Sequence, residues 1–360
     1  MHGSTLAAFV ADIWAPRARR RLAPKTWERD SVVYEKHIRP LLGARRIASL
    51  DIEDLVEWQD GLEEAGAGDP TLIKAIGILS SIFAEAARRP RSTGVQGNPV
   101  SLLEKPAARR RRQPKVWGPV VIERVRFELV VNSRRAGSDR RLVALRDALL
   151  VSLMAMTGCR PGEALALRWQ DIGSRIAICR ALSGKEVRDR TKTGRDRAVP
   201  VPAPLRGDLD AVRDLSGDPS GAYVFRKPGG GHWLETDWRN YRSRHFTPAL
   251  ERVEAGWSTW RSGLARPNSA RESVDGLAAT RPYDLGRHTH SALMLASGMS
   301  LQRLARMQGH GIRVLDETYS EQLAEFAERD ERIDPVAEIE AARELVWSPT
   351  IAATGRTISG

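Results

Sequence analysis

Residues 285–319 read LGRHTHSALMLASGMSLQRLARMQGHGIRVLDETY, and the second half of the chain is organised around this stretch. Leu285-Gly286-Arg287-His288-Thr289-His290 runs into a helix predicted over Ser291–Ser297 and closed by Gly298. Ser300 has the side chain of an N-cap for the next helix, Leu301–Gln308, which gives way to Gly309-His310-Gly311. A further helix is expected to end near Tyr319. Leu293, Leu301, Leu304 and Met307 recur at helical spacing and read as core. His288 and His290 lie two positions apart, on different helix faces, and read as packing or surface residues.

Two donor-rich segments precede this stretch. An apolar helix, Leu142–Met156, leads into Thr157-Gly158-Cys159-Arg160-Pro161-Gly162-Glu163, with a short helix expected from Ala164 to Trp169. Pro161 suits a first helical position, so Arg160 sits where backbone N–H groups and the helix dipole favour an anion. Its planar guanidinium can bind two phosphate oxygens at once. The second segment is Arg190-Thr191-Lys192-Thr193-Gly194-Arg195, within a polar turn region, 184–194. The turn is expected to join strands Arg175–Ile178 and Arg197–Val201 in a small antiparallel sheet. A hairpin tip can place the Lys192 ammonium in a DNA groove, although an isolated hairpin lysine is more often simply solvated. Gly229-Gly230-Gly231 lacks the ending of a phosphate loop and reads as a turn. Residues 254–280 read as a long loop.

The N-terminal part is helical throughout. Leu6, Phe9, Val10, Ile13 and Trp14 share one face, and a second helix from Pro24 carries Trp27, Val33, Tyr34 and Ile38 and stops at Pro40 and Gly43. Asp51 is placed to cap a third helix holding Leu55 and Trp58, and a fourth runs from about Thr71 to Ala87. Between Lys105 and Pro119 the pattern breaks. Lys105, Arg109, Arg110, Arg111, Arg112 and Lys115 occur with no acid among them, which describes an exposed strap able to lie along DNA.

Composition agrees with a nucleic-acid partner. The formal net charge is +12, and only eight of the 57 basic residues are lysines. Codon bias explains arginine over lysine but not bases over acids, whereas a polyanion such as duplex DNA matches the excess. No apolar stretch is expected to span a bilayer, no secretory signal is visible, and Cys159 and Cys179 form no disulfide or metal pattern. A cytoplasmic, nucleoid-associated protein is expected.

Taken together, Thr157–Leu167, Lys192, Arg287-His288-Thr289, Gly309-His310 and Tyr319 resemble the successive boxes of the tyrosine recombinase (phage integrase) family. The separations of 23 positions from Arg287 to His310 and nine from His310 to Tyr319 are usual there. The resemblance covers roughly residues 5–330. It implies a mainly α fold with a small antiparallel sheet: a helical SAM-like core-binding domain at 4–103, a basic linker at 104–119 and a mixed α/β catalytic domain at 120–335 with the DNA breaking-rejoining fold. A tail follows at 336–360, expected to pack on a neighbouring subunit.

The resemblance also implies roles. Tyr319 would be the nucleophile, Arg160 and Arg287 the phosphate clamp, Lys192 the general acid, His310 a further donor and Glu163 a support for Arg160. Arg109, Arg110, Arg111, Arg112, Lys115 and Arg195 would contact DNA. Neither a metal nor a cofactor is implied. The implied partners are double-stranded DNA, a homotetramer on synapsed sites (monomer or dimer otherwise) and an accessory directionality factor. A type IB topoisomerase, and a DNA-binding relative that has lost catalysis, are the alternatives. One position departs from the family pattern, which has histidine three residues before the second arginine. Strict counting gives Asp284, whose charge would oppose a phosphate gaining charge. Tyr283 is therefore the expected equivalent, with Gly286 a one-residue insertion that loops out.

Overall fold

The computed structural model describes residues 4–106, 114–131, 139–189, 191, 196–227, 229–260, 274–327 and 332–354. The chain divides into two compact units, Met1–Arg111 and Arg112–Gly360.

The first unit is a bundle of helical segments around one apolar core. Leu6–Phe9, a wide π-turn at Val10–Trp14 and Ala15–Arg21 form its first segment. The second runs from Pro24 through a π-turn at Tyr34–Ile38 and then Arg39–Leu42, so it continues past Pro40 and ends at Gly43, as expected of that residue. Proline has no N–H to give the helix ladder, and the π-turn just before it is where the ladder is already altered. Asp51 caps Ile52–Glu64 as expected, its carboxylate accepting from the Asp54 N–H while Asp54 answers to the Asp51 N–H. The fourth helix, Asp69–Ala87, starts a little before the expected Thr71 and is long and apolar enough, by length and composition, to cross a bilayer. The expectation that no stretch would pass that test is corrected. Its apolar residues face the bundle: Leu72, Ile76, Leu79, Ile82 and Phe83 are all buried there.

The second unit is built on the Arg140–Thr157 helix, whose residues are buried almost continuously from Ala144 onward. Helices Pro119–Val131 and Ala203–Ser216 and the segment 284–288 pack against it. Two separate two-stranded antiparallel ladders replace the single expected sheet. Strand β1, Arg175–Ile178, pairs with β4, Arg197–Pro200, in the register Arg175 to Pro200. Between them lies a hairpin of β2, Ala181–Ser183, and β3, Glu186–Arg188, so the region read as a polar turn contains its own ladder. The sequence hid it because three-residue strands carry too few alternations to register as a pattern. The short helix after Arg160 is Pro161–Leu165 rather than Ala164–Trp169, and Trp169–Asp171 forms a 3-10 turn. The helix Thr247–Trp260 occupies part of the stretch read as a loop.

Helix Pro335–Thr354 packs within its own unit. Ile339, Ala342 and Val346 are buried, the Trp347 ring lies edge-on to Phe127 at 5.4 Å, and Arg343 donates to Glu123, Asp208 and the Pro204 carbonyl.

Gly286 corrects another expectation. It does not loop out; the extra residue is absorbed in a π-turn at Asp284–His288 that leads directly into helix Thr289–Ala296. Gly286 is buried against the Arg140–Thr157 helix, where an added Cβ would lie 2.5 Å from the Cβ of Met154. On helix propensity alone, alanine for glycine stabilises by about 1 kcal/mol. Here Gly286→Ala is expected to destabilise by about 1–3 kcal/mol through overpacking, read as a lower urea midpoint at unchanged slope. A midpoint at or above that of the parent protein would mean that the two helices are not in close contact.

Candidate active site

The site forms where three chain segments meet in the second unit. The first is the end of the Arg140–Thr157 helix and the turn after it. Gly158 closes this helix at φ +64°, and a Cβ there would lie 2.6 Å from the His290 ring and 2.7 Å from Gln308 Nε2, so both conformation and space demand glycine. Arg160 follows. Its backbone N–H donates to Glu163 Oε2 at 2.8 Å, and its guanidinium donates to Glu163 Oε1 at 2.9 Å and to the Gly309 carbonyl at 3.3 Å.

The second segment is the π-turn. Arg287, with 1% exposure, donates to the Gly158 carbonyl and, at 2.8 Å, to the Gln308 carbonyl. One guanidinium thus ties the turn after the central helix to the turn before His310. Burial, reinforced by the charge of Arg160, pushes Arg287 down to about 10, still cationic near neutral pH. Its Nε is buried without a hydrogen-bond partner among the described residues.

The third segment is helix Leu301–Gln308, capped by Ser300 as expected, with the turn to His310. Gln308 is fully buried and exchanges hydrogen bonds with Ser291, which fixes the turn on helix Thr289–Ala296. Burial, with the charges of Arg287 and Arg160, pushes His310 down to about 3, so its ring is neutral, and its Nδ1 is another buried atom without a partner among the described residues.

Tyr319 completes the cluster. The helix from Ile312 breaks at Tyr319 as expected, at φ −122° and ψ 16°, and a further helical stretch continues beyond this kink to Ala327. The ring packs among Leu295, Leu304, Ala305 and Leu315 and is 2% exposed. A phosphodiester can therefore reach the hydroxyl only if the chain shifts, and the kink is where the ladder is weakest. Burial raises the phenol above its ordinary value, with Ser291 and Arg287 opposing and the charges of Tyr283 and Asp284 reinforcing.

The hydroxyl lies 2.6 Å from Nδ1 of His288. This histidine, read from sequence as packing or surface, is thus part of the site, whereas His290 is buried against the Ala155 carbonyl, as a packing residue would be. Tyr283 lies edge-on to His288 at 5.1 Å between ring centres, with the Arg287 guanidinium 6.0 Å from its own ring. Asp284 turns away from Arg287: its carboxylate accepts from Arg281 at 2.7 and 3.0 Å and lies 3.6 Å from Nε2 of His288.

Sequence reasoning also missed Arg197 on β4. It donates twice to Glu163 and once, from Nε at 2.9 Å, to the Met307 carbonyl. Nothing in the sequence distinguishes it from its neighbours, because a strand residue's partner depends on the register. Lys192 and Arg195, and Arg109, Arg110, Arg111 and Arg112, lie outside the described residues. Lys115 is exposed, with its ammonium on the Asp275 carbonyl and 4.6 Å from the centre of the Trp117 ring.

Arg160 and Arg197 thus meet on Glu163, Arg287 and the neutral His310 lie beside them, and His288 joins this cluster to the Tyr319 phenol. The surplus of cationic groups suits the place to an oxyanion, and the scaffold that carries it is mainly helical. Residues 8–62 match the phage integrase N-terminal SAM-like domain. The tyrosine recombinase XerC of Mesorhizobium japonicum is 27% identical over 305 residues, 81% of this chain and 83% of that protein. The Tn1549 transposon integrase, solved with transposon right end DNA, shares the fold at TM-score 0.60 and 16% identity, covering 98% of this chain and 100% of that one. So does a lambda integrase dimer bound to a COC' core site, at TM-score 0.58 and 16% identity over 85% of this chain and 95% of that one. The chain is thus similar to tyrosine recombinases in sequence and to integrases in fold.

Glu163 makes the site sensitive to acid. Burial alone would raise its carboxyl, but Arg197 and then Arg160 hold it below the usual carboxylate range. A depressed folded-state value adds stability that is complete above the unfolded value, about 4.3, and lost as pH falls through the folded one. Glu163→Gln is thus expected to unfold more readily than the parent at neutral pH, with the gap narrowing as the solution is acidified below about pH 4. Urea midpoints measured across that range check it, and a gap that widened on acidification would contradict it.

Proposed function

We propose that the chain is a site-specific DNA recombinase that cleaves and rejoins duplex DNA through a 3′-phosphotyrosyl intermediate on Tyr319. The observation that carries this reading is the placing of a buried, doubly anchored Arg287 beside Arg160, His310 and the Tyr319 hydroxyl. Guanidiniums fixed by backbone carbonyls need not reorganise as charge builds on a phosphate, which makes them effective stabilisers of a pentacovalent transition state.

In the proposed reaction the Tyr319 oxygen bonds to phosphorus, the bond from phosphorus to the 5′-oxygen breaks, and Lys192 protonates the leaving oxygen. Arg160 and Arg287 hold the non-bridging oxygens, and His310 donates to one of them. Glu163, shared between Arg160 and Arg197, sets the direction of the Arg160 fork. Attack by a 5′-hydroxyl of a second duplex reverses these steps and completes strand exchange. Removing one such donor costs about 2.7–4 kcal/mol of barrier.

The basic run Arg109–Arg112, with Lys115 and Arg195, would lie along the DNA backbone, where contacts add affinity without sequence preference. A tetramer on two synapsed sites, monomeric or dimeric otherwise, follows from strand exchange between two duplexes. A directionality factor would bias its outcome, and the cytoplasm, on the nucleoid, is where this substrate lies. The named transposon and lambda integrases among the similar structures favour a mobile element's integration or excision.

Nicked duplexes tiled across the DNA flanking the gene test this reading. One of them is expected to trap a covalent protein–DNA adduct, with the link at a 3′-phosphate, that Tyr319→Phe abolishes. Adducts on every duplex alike, with relaxation of arbitrary supercoils, would point to a topoisomerase. No adduct on any duplex would mean a DNA-binding protein without catalysis.

A further inference from the structure

The cluster leaves one question of chemistry open: which group accepts the proton of the Tyr319 phenol. Burial holds this phenol above its ordinary value, so it is un-ionised near neutral pH and needs a base as it attacks. Arg160, Arg197 and Arg287 cannot accept a proton, and Glu163 is engaged by two arginines. Tyr283, in the slot where family members carry histidine, is itself a phenol and a poor acceptor. His310 shares the site but has no hydrogen bond to Tyr319 among those described.

His288 does. Its Nδ1 is 2.6 Å from the Tyr319 oxygen, and its Nε2 faces the Asp284 carboxylate at 3.6 Å, a charge contact rather than a hydrogen bond. A carboxylate can only accept, so it favours the tautomer with the proton on Nε2 and the lone pair on Nδ1, toward the phenol. We propose that His288 is the general base that takes the Tyr319 proton, and that Asp284 is a positioning residue that holds its imidazole in the accepting tautomer. The proposal rests on the recombinase reading, since it supplies a step within that reaction.

The π-turn makes the arrangement possible. In an α-helix one inserted residue rotates everything beyond it by about 100°. Absorbed as a wide turn, Gly286 leaves Tyr283 beside both Arg287 and His288 while Asp284 keeps its place behind the imidazole. The groups facing His288 are Asp284, Arg287, Tyr283 and Arg281 from its own segment, the Tyr319 hydroxyl, and His310. Burial first, then Arg287 and Arg281, pushes the imidazole down to about 4 against the pull of Asp284, so it is neutral and able to accept. Transfer accompanies attack: the phenol grows acidic as its oxygen bonds to phosphorus, and the phosphodiester's negative charge favours the imidazolium. The proton passes from Tyr319 oxygen to His288 Nδ1 as the oxygen–phosphorus bond forms and the bond to the 5′-oxygen breaks.

The test uses the full chain and the nicked duplex that traps the Tyr319 adduct. His288→Asn is expected to slow single-turnover adduct formation by at least about 100-fold, with DNA affinity and thermal midpoint close to the parent's. A duplex with sulfur in place of the leaving 5′-oxygen separates the two proton transfers, because a thiolate leaves without protonation. On that duplex the defect of Lys192→Ala should largely vanish, and the defect of His288→Asn should persist. Adduct formation at the parent rate in His288→Asn, or its recovery on the sulfur duplex, would overturn the proposal. A second measurement needs no activity. Nitrogen NMR of labelled histidine should find His288 protonated on Nε2, shifting toward the Nδ1-protonated form in Asp284→Asn. A proton on Nδ1 in the parent protein would overturn the proposal. If no duplex traps an adduct, the recombinase reading fails and the tautomer still decides the His288–Asp284 pairing separately.

Discussion

The second unit's chemistry depends on one buried guanidinium. Arg287 reaches the Gly158 carbonyl on one side and the Gln308 carbonyl on the other. These mark the ends of the two turns that carry Arg160 and His310, residues separated by 150 positions in the chain. A cation that satisfies two carbonyls fixes their separation, and so fixes where the neighbouring donors point. Lysine could not replace it, because a single ammonium lacks the planar fork that spans two acceptors.

A buried cation of this kind has to be compensated. Glu163 supplies negative charge beside it, but Arg197 and Arg160 already share that carboxylate, and Asp284 is turned to Arg281. Burial first, and then the neighbouring positive charge, depresses both Arg287 and His310, and the unbalanced cations suit the place to an anion. Burial, helped by that surplus, keeps the imidazoles neutral, so they remain available as acceptors or neutral donors rather than adding to the repulsion. Burial and the surplus of cations thus act together on the cluster. The apolar shell of Leu295, Leu304 and Leu315 serves it by keeping water from the Tyr319 ring.

Much of this was legible in the residues themselves. Pro161 after Arg160, Ser300 before Leu301 and Gly309 after Gln308 place helix ends correctly, because capping depends on side-chain types at fixed local offsets. What stayed hidden depended on distant partners or on geometry outside the standard periods. The β2–β3 hairpin is too short to show alternation. Arg197 gains its meaning only from a β-register that turns it toward Glu163. Gly286 looked like a residue to be looped out because the α-helical period has no room for it, and the structure accommodates it by widening the turn.

The sequence by itself determined the order of the chemical groups, the helical character of both units and the identity of Tyr319 as the residue to watch, since these rest on composition, caps and spacing along the chain. Only the tertiary structure decided what surrounds that tyrosine. The contact from His288 to its hydroxyl and the turning of Asp284 toward Arg281 follow from where a π-turn directs its side chains. The enclosure of the ring among Leu295, Leu304 and Leu315 follows from packing between helices. Contacts of this kind are set by the fold, and no local stretch of residues encodes them.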